Sequence, residues 1–294
     1  MMTFHYCTCD VFTDRLFGGN PLAVLTDARG LDPATMQAVA REFNYSETVF
    51  VLPPADPRHT ARLRIFTPGG ELPFAGHPTV GTAFVLATVG ATPAAGEVVF
   101  EEGVGPVRVT IERQAGAVTA CTLTAAQLPV RGTALPARAE LAAMLGLDPA
   151  DLSANAETWS CGVPFAVVPL ASVEALARAR LNMDWWGRLL AGHEGRKVYP
   201  VAQTGEGCWR VRMFAPSLGV AEDAATGSAA AAFAGWLVTW HPAPDGTRHW
   251  RIQQGEAIGR PSEISLEADV LNGAPAAVRV GGRCVMVSEG SLRL

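Results

Sequence analysis

Residues 64–87, RIFTPGGELPFAGHPTVGTAFVLA, decide the fold. The stretch opens with a strand-like alternation, passes through a Pro/Gly turn and continues as a helix with Pro78 in its first turn, where the missing N–H costs nothing. From Val80 to Ala87 this helix has no charged residue, and a helix that is apolar all round is normally buried. At about ten residues it is too short for a bilayer, which needs about 20. We therefore expect a buried helix whose N-terminal N–H groups, near His77, could bind an anion.

Residues 210–238, RVRMFAPSLGVAEDAATGSAAAAFAGWLV, repeat this pattern. Gly227-Ser228-Ala229 corresponds to Gly81-Thr82-Ala83, and aligning the two stretches on these glycines places Asp223 where His77 lies. Two strand–turn–helix units with apolar helices indicate an internal duplication. Two unrelated buried helices that are both rich in alanine and glycine would give a similar pattern, so that alternative stays open.

The duplication predicts both the architecture and the place of a site. The second helix is expected from Ala224 to Val238, so His77 and Asp223 would each lie at a helix N-terminus and meet across a cleft if the halves face each other. Long β stretches with few helices predict a curved sheet around each central helix, because a helix with no polar side must be enclosed. We therefore expect an α+β fold of two similar halves, residues 1–125 and 126–282.

Three further motifs extend the pattern along the chain: DVFTDRLFGGNPLAV at 10–24, YSETVFV at 45–51 and QGEAIGRPSEI at 254–264. Together with FTPGGELPFAGHPTVGTA and EDAATGSAA, they resemble the PhzF family, named for phenazine biosynthesis, and are distantly similar to diaminopimelate epimerase. The resemblance runs over nearly the whole chain. It implies that each half is a barrel closed around its helix and that residues 283–294 complete the first half.

Composition narrows the class of protein. The 294 residues suggest about two domains, and 49% hydrophobic against 17% charged residues predicts large cores. A net charge of −5 with no basic run argues against nucleic acid or an anionic membrane as partner. No secretory signal is visible, and six cysteines without CxxC are expected to be reduced thiols in a cytoplasm. Without HxxxH, HExxH, a Walker A loop or a strand-linked GxGxxG, we expect no metal and no organic cofactor.

Glu47 lies in SETVF, at the boundary of a loop and a strand. Beside Val49 and Phe50 its carboxylate would be partly desolvated, which raises the pKa and suits the group to shuttle a proton near neutral pH. A carboxylate at a turn or strand edge that bonds to local backbone is the alternative. The resemblance implies that this glutamate is the family's proton shuttle.

His77 and Asp223 are the candidates at the two helix starts. The resemblance implies that they occupy the places where diaminopimelate epimerase has a cysteine pair acting as base and acid. Neither is cysteine here, which removes a two-thiol epimerisation mechanism. Packing alone could explain His77, and an N-cap role could explain Asp223, although capping and catalysis are compatible.

Small or polar residues beside the helix starts are the candidate substrate-binding groups: Gly76, Gly227, Ser228 and Asn20. Small residues let a ligand approach backbone N–H groups closely, and a substrate carboxylate would fit between two positive helix ends. Tight helix packing explains the glycines equally well, and a turn position explains Asn20.

We therefore expect a cofactor-independent isomerase. The resemblance implies trans-2,3-dihydro-3-hydroxyanthranilate, or a related small cyclic amino acid, as an anionic substrate, and a homodimer. Glu47 would take a proton from one ring carbon and return it to another, while His77 and Asp223 hold the polar groups of the substrate. The alternatives are an amino-acid racemase or epimerase, which the missing cysteine pair weakens, and a non-catalytic small-molecule-binding or scaffold protein of the same fold.

Overall fold

The computed structural model describes residues 2–92, 96–242 and 244–294. The α-helices are α1 (Pro33–Phe43), α2 (Gly76–Thr88), α3 (Arg138–Leu145), α4 (Val173–Arg178), α5 (Met183–Leu189) and α6 (Gly227–Trp240). The strands are β1 (Thr3–Val11), β2 (Asn20–Leu25), β3 (Glu47–Leu52), β4 (Ala61–Thr67), β5 (Gly70–Leu72), β6 (Glu97–Glu102), β7 (Gly105–Gln114), β8 (Ala117–Thr124), β9 (Val130–Arg131), β10 (Glu157–Ser160), β11 (Pro164–Pro169), β12 (Val198–Gly205), β13 (Cys208–Val211), β14 (Gly246–Gln254), β15 (Ser262–Leu271), β16 (Ala274–Gly282) and β17 (Cys284–Arg293).

Contacts divide the chain into two compact units. Unit 1 comprises Met1–Ala126 together with Val280–Leu294, and unit 2 comprises Gln127–Arg279. In unit 1, β1 pairs antiparallel with both β17 and β2. The series continues through β3, β4, β6, β7 and β8, with parallel pairs β2–β3 and β4–β6.

Helix α2 lies inside the curved sheet of unit 1. It contacts strands from both ends of the pairing series, β17 and β1 at one end and β7 and β8 at the other. Every residue from Gly76 to Ala87 is buried, which confirms the buried helix expected from its apolar sequence. The helix approaches its neighbours so closely that a Cβ at Gly81 would lie 2.6 Å from the side chains of Val11 and Leu22.

Unit 2 repeats this order of pairings. In unit 1 the order is antiparallel β1–β2, parallel β2–β3, antiparallel β3–β4, parallel β4–β6 and antiparallel β6–β7. In unit 2 the same order runs through β10–β11, β11–β12, β12–β13, β13–β14 and β14–β15. The buried helix joins the second parallel pair in each unit, α2 in unit 1 and α6 in unit 2, so the two halves have the same topology.

The start of α6 differs from the prediction. The helix begins at Gly227 with Thr226 as its N-cap residue, not at Ala224, so Asp223 lies in the preceding loop and is not the N-cap. The physical reason is that Thr226 has φ −121° and ψ 88°, outside the helical region, and its N–H donates to Gln254 Oε1 at 3.2 Å. By contrast, α2 begins one residue before His77.

Candidate active site

Three polar side chains of unit 1 meet at the N-terminal end of α2. Asn20 begins β2, Glu47 begins β3 and His77 is the second residue of α2. The parallel register of β2 and β3 pairs Leu22 with Glu47, so the starts of the two strands lie at one edge of the sheet. Asn20 Nδ2 donates to His77 Nδ1 at 3.3 Å, and His77 Nε2 lies 3.3 Å from Glu47 Oε2.

Burial controls the charge of this cluster. Asn20 is fully buried and His77 is 4% exposed, and desolvation lowers the pKa of the His77 imidazole to about 3. The ring is therefore neutral at neutral pH and carries one N–H. The ring hydrogen-bonds to the Asn20 amide and to the main chain of Pro21, and its Nε2 faces Glu47. The Glu47 side chain is 15% exposed, and its Oε2, the oxygen nearest His77, is buried.

Asp223 lies in unit 2, in the loop that leads into α6. It is 8% exposed, and its main-chain N–H donates to Met213 O at 2.9 Å. The Thr226 hydroxyl donates to Asp223 Oδ2 at 2.6 Å. Asp223 is therefore a buried carboxylate that accepts a hydrogen bond from Thr226 and lies four residues before the start of α6.

Gly227 and Ser228 are the first two residues of α6, and Gly76 is the first residue of α2. The first N–H groups of a helix have no partner within the helix, and they carry the positive end of its dipole. The predicted binding residues therefore lie at the ends of helices where an anion is stabilised. The meeting of His77 with Asp223 across a cleft stays a prediction.

Two polar residues that the sequence analysis did not single out as site residues support these helix starts. Gln254 donates to Asp223 O at 2.9 Å and to the Thr226 hydroxyl at 3.0 Å. Glu102 lies against the first turn of α2, with its Oε1 2.7 Å from the Thr79 hydroxyl. Burial raises the pKa of the Glu102 carboxyl to about 8. A signal for Glu102 was present in the sequence, because strand alternation puts it in phase with the apolar Val98 and Phe100.

Within the described part of the chain, no three His, Cys, Asp or Glu side chains form a group that could hold a metal ion. Among the helices of that same part, none combines the length and the apolar character needed to cross a membrane.

Comparison with known proteins gives consistent matches over the full chain. A family model described as phenazine biosynthesis-like protein matches residues 9–290. An uncharacterised isomerase of Mesorhizobium japonicum is 44% identical over 99% of both chains. A trans-2,3-dihydro-3-hydroxyanthranilate isomerase of Pseudomonas aeruginosa is 40% identical over 97% of this chain and 98% of the relative.

Solved structures agree on the fold. A PhzF-family protein of Bacillus anthracis superimposes with a TM-score of 0.90 at 24% identity, over 100% of both chains. A hydroxyproline epimerase from Agrobacterium vitis gives a TM-score of 0.68 at 14% identity, over 99% of this chain and 93% of the other. These likenesses confirm the predicted α+β fold of two similar halves.

Proposed function

Because this chain belongs to the PhzF family of phenazine biosynthesis-like proteins and is an isomerase, we propose that Glu47 moves a proton between two carbons of a small cyclic amino or carboxylic acid. No cofactor takes part in this proposal. The observation that carries it is the cluster at the start of α2, where a partly exposed carboxylate lies 3.3 Å from a neutral, buried imidazole.

The proposed reaction balances without a co-reactant. The Glu47 carboxylate takes a proton from one ring carbon, and the electron pair left behind spreads over the adjoining double bonds. The protonated Glu47 exchanges its proton with solvent and then gives a proton to a different carbon of the same conjugated system. The double bonds move, the composition of the substrate is unchanged and Glu47 returns to its starting state. Such proton transfers contribute roughly 10²–10⁴-fold to a rate.

His77 would support Glu47 as a neutral partner. A protonated histidine at 3.3 Å would stabilise the carboxylate and lower the pKa of Glu47, making it a weaker base. A neutral imidazole lies beside the carboxylate without that effect. Asn20 holds the far side of the ring at 3.3 Å, so the orientation of His77 does not depend on solvent.

Asp223 and the start of α6 would bind the substrate. A buried carboxylate suits an amino or hydroxyl group, and the N–H groups of Gly227 and Ser228 suit a carboxylate. Gly76 would offer the same kind of contact at the start of α2. The compound trans-2,3-dihydro-3-hydroxyanthranilate is the first candidate, because a relative with 40% identity is named for its isomerisation. The homodimer implied by the resemblance and the cytoplasmic location expected from the cysteines stay predictions.

The test is isomerisation of trans-2,3-dihydro-3-hydroxyanthranilate in deuterium oxide, followed by NMR and mass spectrometry. We expect a shifted double-bond pattern, deuterium at the accepting carbon and no effect of chelator. Glu47→Gln removes the exchangeable proton while keeping the shape, so kcat should fall by about 10²–10⁴-fold. The matched control is Glu42→Gln, a change at an exposed position of α1, which should leave the rate unchanged.

Three results would contradict the proposal. Exchange by Glu47→Gln at nearly the wild-type rate would remove Glu47 as the base, and Asp223 would be the next residue to test. Inactivation by chelator with recovery on adding one metal would overturn cofactor independence. Thermal stabilisation by the compound with no exchange of solvent deuterium would indicate a binding protein.

A further inference from the structure

Each unit ends one strand with a buried polar residue followed by glycine. This strand comes directly after the buried helix and pairs parallel with a strand that precedes the helix, β4 in unit 1 and β13 in unit 2. In unit 1 it is β6, which ends at Glu102-Gly103, and in unit 2 it is β14, which ends at Gln254-Gly255. Both polar side chains contact a threonine at the start of the helix, Thr79 in unit 1 and Thr226 in unit 2. The last residue of this strand therefore contacts the N-terminal end of the buried helix in both halves.

Gln254 uses its whole amide group on the loop that carries Asp223. Its Nε2 donates to Asp223 O at 2.9 Å and to Thr226 Oγ1 at 3.0 Å, and its Oε1 accepts from Thr226 N at 3.2 Å. The orientation of the amide follows from these partners, because a reversed amide would turn an NH₂ group toward the Thr226 N–H. Gln254 is 1% exposed, so solvent cannot replace these bonds if the side chain is removed.

The contacts continue to the carboxylate itself. The Thr226 hydroxyl has one proton, which it donates to Asp223 Oδ2 at 2.6 Å. The same hydroxyl accepts from Gln254 Nε2, and a donor of this kind polarises the hydroxyl and strengthens its own donation. Gln254 thus acts on Asp223 in two ways, directly through the main-chain carbonyl and indirectly through Thr226.

The segment after Gln254 closes around the same loop. Gly255 has φ +81°, and a Cβ there would lie 2.5 Å from Ala224 O and 2.2 Å from Arg260 O, so this position requires glycine. The Ser262 hydroxyl donates to Ala224 O at 3.0 Å. The motif QGEAIGRPSEI, which has no role in the proton transfer proposed above, contacts the Asp223 loop at both of its ends.

We propose that Gln254 is the positioning residue of Asp223, holding the main chain and the carboxylate of this residue in the orientation that the substrate requires. The proposal rests on the proposed function for the role of Asp223 but not for the hydrogen bonds. Misplacing a binding group by about 1 Å can reduce a rate by on the order of 10²-fold. Loss of the amide should therefore affect turnover more than folding.

The test compares three variants. Gln254→Met keeps the length of the side chain and removes every hydrogen bond. Gln254→Glu keeps the acceptor for Thr226 N–H and, when ionised, removes both donors. Gln253→Met is the matched control, because the neighbouring glutamine points to the opposite face of β14 and is only partly buried. Amide hydrogen exchange by NMR measures the Thr226 N–H directly, and kcat and KM for trans-2,3-dihydro-3-hydroxyanthranilate measure turnover.

For Gln254→Met we expect exchange of the Thr226 amide to accelerate by about tenfold, as for one lost hydrogen bond. Amides of β12 should keep their wild-type rates, and kcat should fall by on the order of 10²-fold. In Gln254→Glu the Thr226 amide should stay protected while kcat stays low, because an acceptor remains in either protonation state and at least one of the two donated hydrogen bonds is lost. Gln253→Met should change neither measurement.

Other outcomes overturn the proposal. Unchanged exchange at Thr226 in Gln254→Met, or an equal acceleration throughout unit 2, would reduce Gln254 to an ordinary structural residue. Wild-type kcat in Gln254→Glu would show that the pair of donated hydrogen bonds, to Asp223 O and to Thr226 Oγ1, is not needed to position Asp223. If the wild-type protein does not isomerise this compound, the chosen substrate fails, whereas the exchange measurement still decides whether Gln254 holds the loop.

Discussion

Replacing Glu102 by glutamine should stabilise the protein at neutral pH. Glu102 is 9% exposed and ends β6 against the first turn of α2. The Thr79 hydroxyl lies 2.7 Å from Glu102 Oε1 and 2.8 Å from Ala75 O. The Thr79 hydroxyl donates toward both oxygens and has one proton to share between them, so it satisfies the Glu102 carboxyl only in part. A glutamine amide can accept from the same hydroxyl without ever ionising.

The size of the stability difference follows from the proton affinity of Glu102 in the folded and in the unfolded protein. Burial raises the pKa of Glu102 from 4.5 to about 8, so the folded protein binds a proton that the unfolded chain releases. The resulting stability is fully present below pH 4.5 and is lost as the pH rises through about 8. With about 1.4 kcal/mol for each tenfold change in proton affinity, the loss reaches about 3 kcal/mol at pH 7 and about 5 kcal/mol at pH 9. Glu102→Gln avoids this loss.

The assay is urea unfolding of wild type and Glu102→Gln at intervals from pH 4.5 to pH 9. The difference in the free energy of unfolding should be small at the acid end and rise to about 3 kcal/mol in favour of the variant at pH 7. A difference that stays flat between pH 5 and pH 8 would refute the reasoning, because Glu102 would then titrate alike in both states.

The neighbouring Glu101 provides a matched control with the opposite sign. Its carboxylate accepts from the N–H groups of Ala55 and Asp56 at 2.8 and 2.7 Å, and these bonds, with one from His59, lower the pKa of Glu101 to about 2. The stability contributed by a lowered pKa is present above the unfolded value of 4.5 and is lost as the pH falls toward 2. Glu101→Gln should therefore destabilise the protein at neutral pH and have less effect at acid pH.

Three further predictions concern the site and its supports. Because burial lowers the pKa of His77 to about 3, NMR of the imidazole nitrogens should show a neutral ring at pH 5, and a protonated ring there would contradict the proposed support of Glu47. Arg212 donates to both carboxylate oxygens of Glu222 at 2.9 and 2.6 Å, and both side chains are at most 10% exposed. Arg212→Met should therefore reduce the free energy of unfolding by about 3–5 kcal/mol, and a loss below about 1 kcal/mol would indicate a solvated pair. A crystal structure should place the side chains of His77 and Asp223 in one pocket, within about 10 Å, the scale of a small-ligand site. Side chains that open onto opposite surfaces would refute the argument from duplication.

The sequence determined the two buried helices and their repetition. A helix with no polar face can be recognised from its own residues, and the stretch from Val80 to Ala87 is such a helix. The repetition of the strand–turn–helix pattern could also be read directly, and the two halves share one order of strand pairings. The alignment of Gly81 with Gly227 is not reproduced, because Gly81 is the sixth residue of α2 and Gly227 is the first residue of α6. The family followed from motifs that are contiguous in the chain.

The start of α6 and the burial of Glu102 were harder to predict from the sequence. The sequence placed the helix start at Ala224, but Thr226 bonds to Gln254, 28 residues later in the chain. Glu102 follows Val98 and Phe100 in the strand alternation, yet alternation alone cannot say whether a carboxylate at the end of a strand is enclosed.

The partners of the buried polar groups could not be predicted from the sequence, because they follow from how distant segments pack together. Asn20 and His77 are 57 residues apart in the chain, and Glu47 reaches the same place because β2 and β3 pair in parallel with Leu22 opposite Glu47. The physical reason is the separation along the chain of the residues that interact. Apolar burial depends on the composition of a single segment, whereas a buried polar atom takes its hydrogen-bond partner from whichever distant segment the fold brings within about 3 Å.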